Sequence, residues 1–298
     1  CDLQRLAYLK IQTIRSELER IHNNTFSDIF SNFKLSGTSC KSESELLSLV
    51  MKHIIDLYYF ISNNKLFSGL IVPEPHTIKL KWLNSLNSKW NTKAKVSGRY
   101  FFLNSSNIES YKTEQLLRLC AHEAIPGHIM FRLNTNISVN SFIDSSHPLK
   151  KSIKKLLKSG VKAVNEGFAS FIEKIIIEIN PEFKTLYLFN KLFHAIRMFI
   201  DIGLNSKNAL YKLNEQSAIS ILKNYTFLSD QGIQAEINKC YSNPGQACAY
   251  CFGSCCYDFI EKIYKSHQSN DFYTDMYKLQ LPVPLIMEFV TNKFNKSI

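Results

Sequence analysis

Long hydrophobic runs are absent from this chain of 298 residues. No apolar stretch approaches the roughly 18 residues that a membrane-spanning helix needs. The strongest candidates, residues 54–61 and 192–204, are short or carry charged side chains. We therefore predict no transmembrane segment. No signal peptide is recognisable in the given residues, and the chain begins with Cys1, so a fragment or a processed form is expected. A cytoplasmic location and a periplasmic or lipoprotein form both stay open.

Acidic residues are the minority charge, with 25 Asp and Glu against 36 Lys and Arg, a formal net charge of +11. A basic balance can indicate a nucleic-acid or membrane partner. The lysines are scattered, however, and the densest run, at 150–162, alternates with apolar residues at helical spacing. This pattern is typical of an amphipathic helix with a solvated lysine face. An RNP motif, a zinc finger and interleaved aromatic and basic residues are absent from the sequence. We predict no nucleic-acid partner, and binding through the lysine face is kept as a third hypothesis.

Cysteines spaced as in a secreted disulfide scaffold are absent too. Five of the eight cysteines fall between Cys240 and Cys256, and Cys248, Cys251 and Cys255 share one stripe of a predicted helix. Cysteine is a small apolar side chain that packs well, so a buried stripe explains the spacing. A thiolate metal cluster is the alternative.

Helical periodicity extends over most of the chain, so the predicted fold class is mainly α. One short aromatic run at residues 99–104, which contains YFFLN, is bounded by glycine and asparagine and predicts a small β element. No internal repeat, low-complexity linker or shift in composition divides the sequence. We therefore predict a single mainly helical domain over residues 1–298. The predicted helices lie at about 2–22, 43–62, 82–90, 112–125, 127–134, 150–178, 184–203, 216–226, 230–238, 245–265 and 285–294.

Residues 119–130, LCAHEAIPGHIM, contain a pattern close to the H-E-x-x-H of zinc peptidases. In that motif, positions i and i+4 share one helix face, so both imidazoles reach one ion. His122 and His128 are six residues apart, which is about 240° in projection on a straight helix. Pro126 cannot donate a hydrogen bond back to His122, and Gly127 permits backbone that a larger residue resists. We therefore predict a break or bulge here that turns both histidines towards one metal ion.

A third metal ligand is expected on a later helix, because catalytic zinc takes three protein ligands at about 2.0–2.2 Å. Residues 164–173, VNEGFASFIE, supply Glu166 as that ligand, with Glu173 as the fallback. Glu123, beside the first histidine, is the predicted general base for an attacking water. The alternative is that these histidines and glutamates are unrelated core or surface residues.

Four segments, taken in order, resemble the domain of unknown function 885 family: HEAIPGH, NEGFASFIE, RMFIDIGL and NPGQACAYCFG. The last three are similar to that family's EGWAxYxE, RxxxDxG and PGQAxxYxxG segments. The family consists of bacterial proteins grouped with the gluzincin zinc peptidases of the thermolysin-like MA clan. The resemblance runs from about residue 70 to the end of the chain. It implies that this sequence is the C-terminal, metal-carrying part of a longer protein.

The resemblance implies a mostly helical, gluzincin-like peptidase fold with one Zn²⁺ per chain. By matching positions, it suggests His122, His128 and Glu166 as the metal ligands and Glu123 as the catalytic base. It implies hydrolysis of a peptide or a small amide substrate.

The resemblance also points to four cleft residues outside the metal motif. Tyr250 would donate a hydrogen bond to the oxyanion of the transition state. Arg197, Asp201 and Gln246 would contact substrate, although Arg197 could instead pair with Asp201 one helical turn away. The YFFLN strand could bind a peptide by edge pairing.

Basic residues before and after that strand would favour acidic peptides or a free carboxylate if they lie in the cleft. The sequence does not place them there. They are Lys79, Lys81, Arg99 and Arg132.

Three departures from the family pattern concern the transition state and leave the metal ligands intact. Asn205 stands where the family commonly has a histidine, Ile129 and Phe131 replace a His-x-Gln pair, and Lys239 replaces an arginine. Losing one oxyanion donor can cost on the order of 10²–10³ in turnover. The leading prediction is a zinc-dependent hydrolase whose activity these departures could reduce. The alternative is a catalytically weakened or inactive zinc-binding protein with a binding or structural role.

Overall fold

A computed structural model of the chain describes residues 2–33, 38–83, 94–135, 137–138 and 150–295. Contacts divide the chain into two compact units. The first unit comprises Cys1–Ser36 and Asn180–Gly253, and the second comprises Gly37–Ile179 and Ser254–Ile298. Each unit is assembled from two separate stretches of sequence, so no composition shift marks a boundary along the chain.

The described residues are mainly helical, with five short strands. The helices are α1 (Asp2–His22), α2 (Phe26–Asn32), α3 (Glu43–Asn63), α4 (Thr113–Glu123), α5 (His128–Asn134), α6 (Lys150–Ile172), α7 (Ile175–Ile179), α8 (Lys184–Asn205), α9 (Glu215–Tyr225), α10 (Asp230–Ser242), α11 (Gln246–Ser266), α12 (Phe272–Lys278) and α13 (Val283–Asn295). The strands are β1 (Lys79–Leu83), β2 (Ala94–Ser97), β3 (Tyr100–Asn104), β4 (Ile137–Ser138) and β5 (Leu279–Gln280).

In the first unit, the long helices α1 and α8 pack along each other. The apolar residues of α1 recur every three or four positions, so they form one buried stripe that includes Ala7, Ile11 and Leu18. Gln4 is also buried in that stripe. Its amide donates to the carbonyl of Tyr211 at 2.8 Å and accepts from the Tyr211 N–H at 2.9 Å, so the polar group is satisfied.

The second unit contains a three-stranded sheet in the order β1-β3-β2, in which β1 is parallel and β2 antiparallel to β3. The central strand alternates strictly. Phe101 and Leu103 are fully buried beneath the sheet, while Tyr100 and Phe102 face the other side. The edge strand β2 packs against α4 and α5.

An aromatic cluster fixes α6 within the second unit. The ring of Phe168 lies 4.9 Å from Phe131 of α5, 5.1 Å from Tyr257 of α11 and 4.8 Å from Tyr277 of α12, between ring centroids. Such aromatic pairs contribute about 0.5–1.5 kcal/mol each beyond the area they bury. The cluster therefore holds the last turns of α6 firmly against α5, where the site lies.

The mainly helical class and the β element near residues 99–104 are confirmed, and most helix ends fall close to their predicted positions. The predicted helix through residues 82–90 is wrong at its start, because Trp82 lies on β1 beside Leu103 of β3. Residues 84–90 fall outside the described part of the chain. The short helices α2 and α12 were not predicted. No described helix has the length and hydropathy needed to cross a membrane.

Candidate metal centre

The helix that carries the first histidine ends where the sequence predicts a break. The N–H groups of Ala124 and Ile125 both donate to the carbonyl of Cys120, at 2.8 and 3.2 Å, so the last turn widens. The Ile125–Pro126 peptide bond is cis, and α5 begins immediately afterwards at His128. The hydroxyl of Tyr277 donates to the Pro126 carbonyl and satisfies it within the core. The predicted break at the Pro-Gly pair is confirmed.

Glycine is required at position 127 because two segments of backbone approach each other closely. A Cβ atom built on Gly127 would lie 1.8 Å from the carbonyl oxygen of His122 and 2.4 Å from that of Ala121. Both contacts are far inside van der Waals distance, and both involve backbone, which cannot swing aside. The backbone angles of Gly127, φ −75° and ψ −137°, keep φ negative, so steric contact is the reason for glycine here.

The break brings the three predicted ligands together. His122, His128 and Glu166 place one potential ligand atom each within 4.8 Å of one another. The Nε2 atoms of both histidines lie 3.6 Å from the same Glu166 oxygen, Oε2. The two imidazole rings are 4.9 Å apart and nearly perpendicular, at 89°. Among the residues that the structure describes, this is the one His/Cys/Asp/Glu group of three or more with such spacing.

Glu173, the fallback ligand, lies behind the first histidine instead. Its Oε1 is 2.7 Å from Nδ1 of His122, the ring nitrogen that does not face Glu166. Arg118 of α4 donates to the same oxygen at 3.1 Å. The Glu173 side chain is 1% exposed. A carboxylate in this position fixes the tautomer and orientation of a metal-binding imidazole, so that Nε2 presents its lone pair.

The electrostatics of the cluster favour a positive charge. Burial alone would lower the pKa of His122, but its contacts with Glu166 and Glu173 and the charge of Glu123 outweigh burial and raise the pKa to about 10. Burial alone would raise the pKa of Glu166, but its contacts with His122 and His128 hold the pKa well below the usual range. A carboxylate that stays ionised beside two imidazoles is a suitable donor set for a divalent cation.

Glu123, the predicted general base, is the last residue of α4 and is partly buried. It follows His122 directly in the chain, at the point where the helix opens. Its role in proton transfer stays a prediction.

The other four predicted site residues belong to the first unit. Asp201 has a clear structural task there: its carboxylate accepts the N–H groups of Gly245 and Ala247, at 3.0 and 3.1 Å. These N–H groups begin α11, so Asp201 anchors the start of that helix. This contact explains why the D-x-G and P-G-Q segments occur together. Gln246, the first residue of α11, lies between the two anchored amides.

Arg197 pairs with Glu236 of α10, with its Nε 2.7 Å from Oε2, and not with Asp201. The guanidinium carbon lies 5.1 Å from the centre of the Tyr250 ring. The His194 ring is 5.1 Å from the same tyrosine. Arg197 and Tyr250 therefore form one partly buried group within their unit, and their predicted contacts with substrate stay predictions.

Asn205, which replaces the family histidine, is fully engaged in structure. Its Nδ2 lies within 3.0–3.1 Å of the Asp201 carbonyl, the Asp201 carboxylate and the Cys240 carbonyl. Burial raises the pKa of the Cys240 and Cys248 thiols to about 12, so both are neutral at physiological pH. Within the cysteine stripe, Cys251 is buried and Cys248 and Cys255 are partly buried, so the packing interpretation holds for part of the stripe.

Sequence reasoning missed the support of the site more than the site itself. Arg118 is absent from the predicted site, and Glu173 enters it only as the fallback ligand. The sequence does contain a signal for the supporting role of Glu173. This residue lies two helical turns after Glu166, and the core residues Phe168 and Phe171 stand between them. Glu236 was missed as well, because its ion pair with Arg197 joins residues that are distant in sequence.

Comparisons with known proteins agree with this picture at the level of family and fold. The family described as "Bacterial protein of unknown function (DUF885)" matches residues 89–265, more than half of the chain. No curated protein matches the sequence.

Two solved structures show the same fold at low sequence identity. A protein from Colwellia psychrerythraea, described as a "putative lipoprotein", matches with a TM-score of 0.75 and 16% identity, over 99% of this chain and 52% of that one. A "putative lipoprotein of unknown function" from Shewanella oneidensis matches with a TM-score of 0.58 and 17% identity, over 97% of this chain and 56% of that one. The chain thus spans about half the length of these structures.

Proposed function

Because the chain belongs to the DUF885 family of bacterial proteins of unknown function, we propose a function from its own residues: a zinc-dependent hydrolase of peptide bonds. One observation carries the proposal. Two imidazoles and a carboxylate, on three helices, converge to within 4.8 Å, and a carboxylate holds the far side of one imidazole. We further propose that the fold is that of a gluzincin-like peptidase, as the order of the motifs implies.

The donor set fits zinc. Two imidazoles, which give up their protons when a metal binds, and one carboxylate are a ligand set found in catalytic zinc sites, which keep a fourth position open for water or substrate. His122, His128 and Glu166 would hold the ion. Zinc in such a site supplies Lewis acidity, which lowers the pKa of water and polarises a carbonyl. The side chain of Glu166 is 22% exposed, against 10% for each histidine, so the cluster is accessible on the side of the glutamate.

The chain's own residues would perform the proton transfers. Glu123 follows a metal ligand and would accept a proton from the attacking water, then return it to the leaving amine. Glu173 and Arg118 would hold the His122 ring in place throughout. Tyr250 would contribute a hydrogen bond to the oxyanion.

The substrate would pair with β2 and not with the YFFLN strand. YFFLN is β3, the centre of the sheet, and both of its edges are already paired. By contrast, β2 lies at the edge of the described sheet and packs against α4 and α5. An extended peptide added to such an edge would run past the metal helices.

Glu123→Gln tests the proposal directly. The variant should keep zinc, because its ligands are untouched, and should lose hydrolysis of a peptide library by at least about 10² in rate. Glu178→Gln, on exposed surface of α7, is the matched control and should retain both. Full activity in Glu123→Gln would refute the role of Glu123, and a zinc-loaded parent that cleaves no peptide would refute the hydrolase.

The second candidate is a zinc-binding protein without catalysis. Asn205 favours it, because this side chain is held in hydrogen bonds to Asp201 and Cys240 and supplies no imidazole. It predicts bound zinc and no turnover in the same assay.

A lipoprotein form is a further proposal, supported by the names of the two similar structures. Labelling of the full-length protein in cells with a fatty-acid analogue tests it, and absence of label would refute it.

A further inference from the structure

The outer face of the three-stranded sheet in the second unit is basic and aromatic. Phe101 and Leu103 of the central strand point into the core, so the alternate residues of all three strands share the opposite face. They form two rows across the sheet. The first row is Lys79, Tyr100 and Ser97, and the second row is Lys81, Phe102 and Lys95.

This basic sheet face, defined by those two rows, contains no acidic residue. Its three lysines are exposed, and Tyr100 is 41% exposed. The ammonium of Lys81 lies 4.3 Å from the centre of the Tyr100 ring, and that of Lys95 lies 5.7 Å from the Phe102 ring. The rings thus hold the lysine side chains across the sheet and keep their charges at the surface.

The spacing of these charges suits an extended polypeptide. Lys79 and Lys81 are two residues apart on one strand, so their side chains repeat every ~6.6 Å. Alternate side chains of an extended peptide repeat at the same distance. Glutamates or aspartates at every second position could therefore meet successive rows of lysine, while the peptide backbone lies over the aromatic rings.

The sheet contacts the helices of the metal centre. Its edge strand β2 packs against α4 and α5, the helices that carry His122 and His128. Arg132 of α5 donates to the carbonyl of Val96 in β2 at 3.3 Å and adds a further positive charge beside this edge. A chain bound on the sheet would leave it next to the helices that hold the site.

We propose that the basic sheet face is a docking site for acidic segments of polypeptide substrates, which it holds beside the metal centre. That the bound polypeptide is a substrate rests on the proposed hydrolase function. That it binds to the sheet face does not. Exposed lysines beside aromatic rings also suit single-stranded nucleic acid. Contact of β2 with the metal helices and the two-residue repeat of lysines favour the polypeptide.

Fluorescence anisotropy of a labelled (Glu-Ser)₆ peptide tests the proposal, with (Lys-Ser)₆ as the reversed-charge probe. The zinc-loaded Glu123→Gln protein is used, so binding is measured without cleavage. Lys81→Glu combined with Lys95→Glu should weaken binding of (Glu-Ser)₆ by on the order of tenfold. Lys207→Glu combined with Lys212→Glu makes the same charge change at exposed positions of the first unit and should alter binding less than about twofold.

Each result supports or overturns the docking site independently of hydrolysis. Support requires that (Lys-Ser)₆ does not bind. It also requires that the two double variants differ less in their affinity for (Glu-Ser)₆ as salt is added. If both double variants weaken binding of (Glu-Ser)₆ equally, with circular dichroism unchanged, net charge alone explains the effect and the docking site is refuted. Tighter binding of a labelled dT₁₂ oligonucleotide, lost in the sheet variant, would assign the face to nucleic acid instead. A zinc-loaded parent protein that cleaves no peptide, while (Glu-Ser)₆ still binds the sheet face, would refute the hydrolase alone.

Discussion

At the scale of the residue, the structure separates ligands from the groups that hold them. His122 contacts two glutamates through its two ring nitrogens, and only Glu166 also approaches His128. The sequence predicts Glu166 as the third ligand and keeps Glu173 as the fallback, because the two lie seven residues apart and close to one face of a helix. Burial makes the choice: Glu173 lies deep in the unit beside Arg118, and Glu166 stays partly exposed.

Glu173→Gln should weaken zinc binding by about 10- to 100-fold, because a neutral amide supports the His122 ring less well than a carboxylate does. Glutamine has nearly the same shape as glutamate, so the packing around residue 173 should be unchanged. Competition with a fluorescent chelator measures the dissociation constant. Glu178→Gln makes the same substitution at an exposed position and should leave the dissociation constant unchanged. An unaltered constant for Glu173→Gln would contradict the orienting role.

Glu236 gives the first unit a pH dependence. Burial alone would raise its pKa, but the charges on Arg197 and Lys239 outweigh burial and hold the pKa below its usual value of 4.5. A carboxyl whose pKa falls on folding stabilises the protein fully above its unfolded pKa, and loses that contribution as pH drops through the folded value. Acid therefore removes this stabilisation below about pH 4.5.

Glu236→Gln should thus lower the free energy of unfolding by about 1–3 kcal/mol at pH 7. The difference from the parent should narrow below about pH 4. Urea titrations at several pH values measure it, and Glu182→Gln, at an exposed position of the same unit, is the control. A difference that stays constant down to pH 3 would show that the ion pair with Arg197 is not its source.

At the scale of the element, the break between α4 and α5 creates the site. An unbroken helix would point the two histidines about 240° apart, whereas the break places their rings 4.9 Å apart. Proline supplies the stop, since it lacks the N–H that would continue the helix. Glycine permits the close approach of backbone that follows.

Gly127→Ala should therefore destabilise the protein by at least about 3 kcal/mol and abolish zinc binding, because the new methyl would overlap the His122 carbonyl. Gly232→Ala is a matched control within α10, where a Cβ would meet its nearest neighbour at an ordinary 3.4 Å. Its stability should change by less than about 1 kcal/mol. Urea unfolding and elemental analysis measure both variants. Near-parent stability and zinc content in Gly127→Ala would show that the break tolerates a side chain.

The helices could be predicted from sequence because each has a regular apolar stripe, as α1 and α8 do. The sheet could be predicted only in part. The central strand β3 alternates and is aromatic, so YFFLN stood out, but β1 reads KLKWL and its partner β2 is only four residues long. Pairing with β3 decides the structure of both strands, and no local pattern reports such pairing. The metal ligands could be predicted because their motifs are local in sequence. The hydrogen bonds of Asp201 to Gly245 and Ala247 could not, because they connect distant segments.

At the scale of the whole molecule, the candidate ligands and their support all belong to the second unit. The residues that the family pattern adds, from Arg197 to Tyr250, belong to the first. All three candidate metal ligands and the groups that support them therefore lie within one unit. The two similar solved structures are about twice as long, since this chain covers 52% and 56% of them.

The central claim is that His122, His128 and Glu166 form a zinc site, and elemental analysis of the purified protein tests it most directly. The parent should contain about one zinc per chain. His122→Ala and Glu166→Ala should lose it while circular dichroism stays helical, and Glu178→Gln should keep it. A parent that takes up no zinc after reconstitution, or a His122→Ala protein that retains a full equivalent, would contradict the account.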